Sequence, residues 1–434
     1  MKVRKYFSGW GNFPIKFGTL KTIKSKRELK SNLNSIRQFI PVGNFRSYGD
    51  SALADTMVHF SQNNIQINSK EKTATVSADV LLGNLIDKSL PLGLFPVVVP
   101  GTKFVTIGGA IAADIHGKNH HVDGCFSEHV LSFDLMNSDG EIIKCTKKDT
   151  PELWAKTCGG MGLTGVILNA ALKLRKIPSS QIIQSNHVAN SLDQLFELFE
   201  KNKDATYSVA WIDCAAKGDN LGKGILMCGE FSENNNSVKS LKNNSLSIPF
   251  NFPSCLLNSF TIKIFNSFYF NILRKKEYKP FAVSLDQFFF PLDKIRDWNR
   301  LYGESGFLQY QFVLPKENSF NGMSEILQKI SQSKKGSPLA VLKLFGPQNG
   351  NALSFPIEGY TLALDFKKSP NLFPLLNDLD EIVNQNGGRL YLAKDARMSP
   401  NTFKKGYPNL GIYNSTIENL SQFQSNQSKR LFHS

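Results

Sequence analysis

Glycines, lysines and side-chain amides recur here in patterns that could hold a flat anionic ligand and move protons beside it. Pro41-Val42 leads into Gly43-Asn44-Phe45-Arg46-Ser47-Tyr48-Gly49-Asp50-Ser51. Successive main-chain N–H groups in such a loop can form a nest for phosphate oxygens, and Arg46 and Ser47 add donors. A second small-residue stretch is Pro100-Gly101-Thr102, followed by Thr106-Ile107-Gly108-Gly109-Ala110-Ile111-Ala112-Ala113-Asp114-Ile115-His116-Gly117-Lys118-Asn119-His120-His121. Small residues let the backbone approach a planar group, and a glycine pair opening a helix would offer N–H donors to an anion. A third stretch is Gly159 to Gly165, behind Trp154. Tight packing would account for any one of these alone. Their order and spacing together argue for one ligand.

Gly160-Met161-Gly162-Leu163-Thr164-Gly165 matches GxGxxG literally. That fingerprint works when a strand precedes it and a helix follows, so that pyrophosphate meets the helix N-terminus. Here the pattern predicts a helix before it, Glu152 to Thr157. The alternation of Val166, Leu168, Ala170 and Leu172 predicts a strand after it. The context is inverted, and a Rossmann site is rejected.

Polar groups inside apolar runs are the other signal. From Phe307 to Leu314, strand alternation puts Gln309 and Gln311 on the face opposite Leu308, Tyr310 and Phe312. Those amides need either solvent or a polar ligand. Lys343 in Val341 to Phe345 and Lys394 in Tyr391-Leu392-Ala393-Lys394 are costly in apolar strands unless paired or functional. His116, His120 and His121 lack Cys, Asp or Glu at ligand spacing, so no metal site is read.

The elements that must position these groups fall into two textures. Up to about Pro178, short strands and helices alternate. Thr73 to Ala78, Leu131 to Met136 and Glu141 to Cys145 read as strands, the last two joined through Asp139-Gly140. A helix is predicted over Asp79 to Leu90 with Asp79 as N-cap, and another after Thr150-Pro151 with Thr150 as cap. From there to about Gly388, phenylalanine-rich strands are predicted at Ser284 to Phe290, Phe307 to Leu314, Ala340 to Phe345 and Tyr360 to Phe366. Helices such as Leu192 to Glu200 and Met323 to Ser331 alternate with them. An antiparallel sheet with helices on one side fits this order. Ser232 to Ser247 reads as a polar loop. Pro249 to Lys276 concentrates Phe, Leu and Ile before Arg274-Lys275-Lys276, which suits either an interfacial segment or a core helix with a basic end.

The chain has 434 residues, 41% of them hydrophobic, and a net charge of +15. Such a charge favours anionic partners, whether nucleic acid, acidic lipid or phosphorylated substrate, or is plain solvated lysine. The lysines are dispersed and many fall in loops, which argues against nucleic acid. Six cysteines without a CxxC pair read as reduced, mostly buried thiols. No secretory h-region and no membrane-spanning run is found, so a cytoplasmic or peripheral membrane location is expected.

The series GxxRSYGDSA, PGTxFVTxGGAIAADxHGKNHH, GGMGLTG, GFLQYQF, LKLFGP, LSFP and GGRLYLAKDAR resembles the decaprenylphosphoryl-β-D-ribose 2′-oxidase family of vanillyl-alcohol-oxidase-type flavoproteins. The likeness runs from about Gly43 to Asp395. It implies an α+β protein with a two-subdomain, PCMH-type FAD-binding domain at 1–178. A substrate domain at 179–388 would carry an antiparallel sheet flanked by helices, and 389–434 would return to the FAD domain. It implies non-covalent FAD, although some members of the wider superfamily carry a flavin-linked histidine where His116 stands. FAD contacts would be Gly43, Asn44, Phe45, Arg46, Ser47, Tyr48, Gly49, Asp50, Ser51, Gly101, Thr102, Thr106, Ile107, Gly108, Gly109, Ala113, Asp114, Ile115, His116, Gly117, Asn119, Gly162, Val166, Ile167 and Tyr391.

The implied reaction is oxidation of a secondary sugar hydroxyl, the 2′-OH of a polyprenylphosphoryl pentose, by hydride transfer from its carbinol C–H to flavin N5 as a base takes the hydroxyl proton. Lys394 is the expected base, and Lys118 and His116 complete the catalytic set. Substrate contacts would be Gln309, Gln311, Lys343, Thr361 and Ala363. Partners would be a polyprenyl-phosphate sugar and a reductase for the keto product. The chain departs from the family at Phe289 and Phe290, where a Tyr-His pair is usual, at Thr361 for asparagine and at Ala363 for cysteine. These departures put the identity of sugar and lipid in question. An aldonolactone or sugar-alcohol oxidase with a soluble substrate, a flavin-binding protein without turnover and a basic nucleic-acid-binding protein are the competing readings.

Overall fold

A computed structural model describes residues 1–233, 246–253, 257–277, 279–410 and 422–432. Three sheets organise them. The first has β1 (Lys2–Ser8), β2 (Ile15–Ile23), β3 (Ile40–Pro41) and β4 (Thr56–Phe60) in the order β1-β2-β4-β3. The second contains β5 (Ile65–Asn68), β6 (Thr73–Ser77), β7 (Leu94–Pro96), β8 (Val130–Met136), β9 (Ile142–Cys145) and β10 (Val166–Lys176). Its centre is β10, which pairs antiparallel with β6, β7 and β8. As the inverted glycine motif predicts, the Pro151–Thr157 helix precedes residues 160–165 and β10 follows them.

The third sheet holds β11 (Gln181–Ala189), β12 (Tyr207–Ile212), β13 (Gly224–Phe231), β15 (Phe281–Ser284), β17 (Phe307–Pro315), β18 (Ala340–Phe345), β19 (Gly359–Lys367) and β20 (Arg389–Leu390). The order is β15-β11-β13-β12-β18-β19-β17-β20, antiparallel throughout. Between them, β14 (Leu246–Ser247) and β16 (Ile295–Arg296) form a separate parallel pair. Leu308, Tyr310, Phe312 and Leu314 of β17 pack with Ile326, Leu327, Leu379 and Leu195 in one buried cluster. The Leu192–Lys201, Lys316–Ser333 and Leu372–Gln385 helices therefore cover that face. The other face carries Gln309, Gln311 and Val313, and farther along it the Ser259–Arg274 helix packs Phe270 on Trp211 and Ile225.

Several expectations need correction. The helix expected from Asp79 begins at Leu82, because the Asp79 carboxylate accepts from Ser61, Gln62 and Asn63 instead of capping it. Leu82 and Gly83 N–H groups are satisfied by Val105 and Lys103 carbonyls. Thr150 is the N-cap residue and Pro151 starts the helix, as expected, but the Thr150 hydroxyl bonds back to the Thr146 N–H and carbonyl and makes no side-chain cap bond. Ser284 to Phe290 is not a strand. Ser284 ends β15 and caps the Leu285–Phe289 helix by accepting from Gln287 N–H.

The polar loop read at Ser232 to Ser247 lies mostly outside the described residues, and its end forms β14. Cys125, Cys145, Cys158, Cys214 and Cys228 are free and buried, as expected, whereas Cys255 lies outside the described residues. Among the described residues no helix is long and apolar enough to cross a membrane.

Candidate active site

Two cavities meet beneath the 43–52 loop. A narrow cleft of about 110 Å³ is lined by Pro41, Gly43, Ser47, Ser51, Thr106, Gly108, Gly109, Ala113, Gly162, Val166 and Ile167. It shares Gly43, Ser47, Thr106, Gly109 and Ala113 with a larger cavity of about 590 Å³. The larger cavity has Asn44, Phe45, Arg46, Tyr48, Gly101, Thr102, Ile115 and His116 on one side. Gln309, Gln311, Lys343, Ala363, Tyr391 and Lys394 face them. The structure thus brings together most of the residues that sequence marked, from segments more than three hundred positions apart.

The 43–52 loop is built for close approach. A Cβ on Gly43 would stand 2.2 Å from Thr106 Oγ1. Phe45 adopts φ +51°, a conformation that turns successive N–H groups toward one point. The N–H groups of Gly43 to Ser47 donate to no acceptor among the described residues. Arg46 lies over the Trp10 ring at 4.1 Å, and its Nε is buried without a partner. Ser51 Oγ, in the narrow cleft, is also buried without a partner. Orphaned donors along a glycine-lined cleft suit a phosphate-bearing planar cofactor.

The helix after Thr106 works differently from expectation. Its first N–H groups are consumed, Ile107 by the Val80 carbonyl, Gly108 by the Ala78 carbonyl and Gly109 by Thr106 Oγ1. The glycine pair therefore gives closeness, with Gly108 against Ala78, and has no free N–H to offer an anion.

His116 is buried among the rings of Phe345, Phe355 and Tyr391. Gln311 Nε2 lies 3.1 Å from His116 Nε2 and donates to it, which places the proton on Nδ1, an atom without a partner. Burial, and then the charge of Lys343, hold the imidazole well below its usual range, so the ring is neutral. The Gln311 amide also donates to Thr361 Oγ1 at 3.3 Å.

Lys394 does not lie in a strand. β20 stops at Leu390, and Tyr391–Asp395 is a turn closed by Asp395 N–H on the Tyr391 carbonyl. Burial lowers its ammonium to about 7, with Asp365 opposing the shift. Its Nζ sits 3.8 Å from the centre of the Tyr48 ring. Asp365, on β19, is fully buried. It accepts from Gln309 Nε2 at 2.6 Å on one oxygen, and the other oxygen has no partner. Burial raises its carboxyl to about 7. Lys343 is lowered to about 8 by burial alone. A lysine and a carboxyl that both titrate near neutrality and act on each other through charge can take up and pass on a proton.

Other marked residues do different work. Gly49 packs against the Asp395 carbonyl, where a Cβ would stand at 1.8 Å. Asp50 pairs with Arg430 at 2.8 Å, and the same guanidinium holds Asp395 at 2.8 Å. The Asp114 carboxylate is consumed by Ser127 N–H, Asn349, Asn351 and Ser354. Asn119 donates to the Val97 carbonyl and to Asp123, and Ile107 is core. Gly117 packs on the Val99 carbonyl. Lys118 donates to the Phe288 carbonyl and lies over that ring at 4.2 Å, outside the cavity wall. Burial lowers it to about 7. Phe289 and Phe290 are buried core and do not line the cavity, so the lost Tyr-His pair removes nothing from its wall.

Sequence reading missed Trp10, Trp298, Asp293 and Asp365. The first two close the cavity's outer wall through a ring chain over Phe307, Tyr302 and Tyr48. Isolated tryptophans carry no spacing signal. Asp365 shares a strand with Thr361 and Ala363, and that alternation was the available clue. Among the described residues no three His, Cys, Asp or Glu side chains group as metal ligands. His120 Nδ1 accepts from Gly346 N–H, and His121 Nε2 donates to the Ala205 carbonyl at 2.8 Å.

A family profile described as FAD binding domain matches residues 24–146, which hold the 43–52 loop and the Thr106 helix. Over 415 residues the chain is 36% identical to decaprenylphosphoryl-β-D-ribose oxidase of Mycolicibacterium smegmatis, covering 91% of this chain and 89% of that one. The chain belongs to the decaprenylphosphoryl-β-D-ribose oxidase family. It is an FAD-dependent oxidoreductase, and the glycine-lined cleft with its orphaned donors fits that cofactor. A Streptomyces coelicolor protein is 28% identical over 372 residues, 81% of this chain and all of that one. Mouse L-gulonolactone oxidase shares 26% identity over 171 residues, 38% of each chain. The family assignment rests on the first relative, whose match covers most of both chains.

Proposed function

We propose that this oxidase acts on the 2′-hydroxyl of a polyprenylphosphoryl pentose. The observation that carries the reading is the convergence of Lys394 and Gln309, with the buried Asp365 behind Gln309, on the same cavity that the glycine-lined cleft enters. When bound, FAD supplies the acceptor for a hydride, at N5 of its ring. The chain supplies the rest. Neutral Lys394 takes the hydroxyl proton as the C–H bond gives up its hydride. Asp365 stabilises the resulting ammonium through its charge, and Gln309 holds the Asp365 carboxyl. Gln311, held by His116 and Thr361, and the Ala363 wall orient the sugar. Lys343, without an ion-pair partner among the described residues, holds the phosphate, and Arg46 with the 43–47 N–H groups holds the cofactor's phosphates. Apolar walls and the Trp10–Trp298 pair exclude water from the transfer.

Residues 1–178 serve in this reading as the FAD-binding domain, 179–388 as the substrate domain, and 389–434 as the segment that returns Tyr391 and Lys394 to the cofactor. FAD is held in this reading without a covalent bond, over a His116 ring that Gln311 fixes at Nε2 and three aromatics wall in. The keto product passes to a reductase, and the enzyme meets its lipid-linked substrate at a membrane surface.

Anaerobic addition of a polyprenylphosphoryl pentose to the purified yellow protein tests the reading. Bleaching of the flavin bands is expected. Bands that stay unbleached by the lipid sugar but bleach with an aldonolactone would replace it with a soluble-substrate oxidase.

A further inference from the structure

Between Glu233 and Glu277 the sequence contains no acidic residue, while Lys239, Lys242, Lys263, Arg274, Lys275 and Lys276 are basic. Within this interval the Ser259–Arg274 helix presents Phe260, Ile264, Phe268 and Ile272 to solvent, at 70%, 54%, 65% and 41% exposure. Residues four apart share one helix face, so these side chains form a continuous apolar stripe along roughly three turns. The helix is anchored from its other side. Phe270 packs on Trp211 and Ile225, and Asn266 donates to Asp213 at 2.7 Å. An amphipathic helix normally turns its apolar face inward. This one is apolar on both sides.

Its position relates it to the active site. Across the third sheet Gln311 stands opposite Ala363, Ala363 opposite Val341, Val341 opposite Trp211, and Trp211 opposite Ile225. Directly opposed residues lie on one face. The first three line the large cavity and the last two lie under the helix. The helix and the cavity are therefore neighbours on one face of the sheet.

We infer that the Ser259–Arg274 helix docks the enzyme on an anionic lipid bilayer. The Phe260–Ile264–Phe268–Ile272 stripe enters the acyl boundary, and Lys263, Arg274, Lys275 and Lys276 meet the headgroups. An apolar face bounded by cations, in a stretch free of acidic residues, complements a negatively charged interface. Docked this way, the cavity opens beside the membrane and a polyprenyl tail can remain in lipid while the sugar reaches Lys394. That consequence rests on the substrate reading above, whereas the docking itself does not.

The test is co-sedimentation of the full-length flavoprotein with vesicles of phosphatidylcholine, with and without phosphatidylglycerol. Binding is expected to the anionic vesicles and to weaken with salt. Phe260→Ser with Phe268→Ser should lower the partition coefficient about a hundredfold. Lys275→Glu with Lys276→Glu should lower it at least about 25-fold, about fivefold for each lost charge. All four side chains lie outside the cavity wall, so flavin absorbance and melting midpoint should stay at wild-type values and certify the fold. Absence of binding to anionic vesicles, or binding indifferent to both double variants, overturns the inference. A concentration-dependent dimer that the serine variants dissolve also overturns it, by giving the stripe to a second copy. No substrate is present in this assay, so its failure leaves the bleaching experiment untouched, and the reverse holds too.

Discussion

Lys394 shows how much one side chain depends on its surroundings. In water its ammonium would hold its proton throughout the neutral range. Buried over the Tyr48 ring it is lowered to about 7. A base is competent only when deprotonated, so the rate of flavin reduction should rise as pH passes upward through about 7. Lys394→Met should lower that rate by about 10²–10⁴-fold with FAD still bound, as stopped-flow reduction and the visible spectrum would show. Asp365→Asn removes the negative charge that opposes this lowering. The Lys394 ammonium then loses protons more easily, and the rising limb of the pH–rate profile should move to lower pH. A rate loss without such a movement would leave Asp365 a packing role only. The type and apolar flank of Lys394 were legible in sequence. Its carboxylate partner was not, because Asp365 lies 29 positions away on a different element and acts on it through space.

Among the elements, the turn at Tyr391–Asp395 and the 43–52 loop behave as one unit. Tyr48 N–H donates to the Ala393 carbonyl, Gly49 abuts the Asp395 carbonyl, and Arg430 from the Asn426–Phe432 helix bridges Asp50 and Asp395. Arg430→Met would leave two buried carboxylates unpaired. It should destabilise the protein by about 3 kcal/mol or more, read from the denaturant midpoint, and loosen FAD because the loop loses its support. The strands at 307–315, 340–345 and 359–367 were readable since each alternates apolar and small or polar residues with period two. The Leu285–Phe289 helix was misread because Phe288-Phe289-Phe290 resembles a buried strand. The overlooked sign was Ser284 three residues before Gln287, a capping pattern.

For the molecule as a whole, the site lies between the glycine-rich sheets and the polar face of the third sheet, and Arg430 ties the 43–52 loop to the Tyr391–Asp395 turn. Acid precipitation should release flavin into the supernatant, with no flavin fluorescence on the denatured chain. Retained fluorescence would instead point to a bond at His116. The cofactor class came from the family resemblance, whereas the inverted glycine motif, the main strands and the stranded polar groups of the cavities were legible in the residues themselves. These are local properties: backbone freedom at glycine, period-two burial, and polar groups stranded in apolar runs. The tertiary structure alone decided which donors are spent and which are free. It spent the Thr106 helix N–H groups, Asp50, Asp114 and Lys118 on internal bonds. It left Arg46 Nε, Ser51 Oγ and His116 Nδ1 without partners. A hydrogen bond is settled by which groups meet in space, and chain order does not record that.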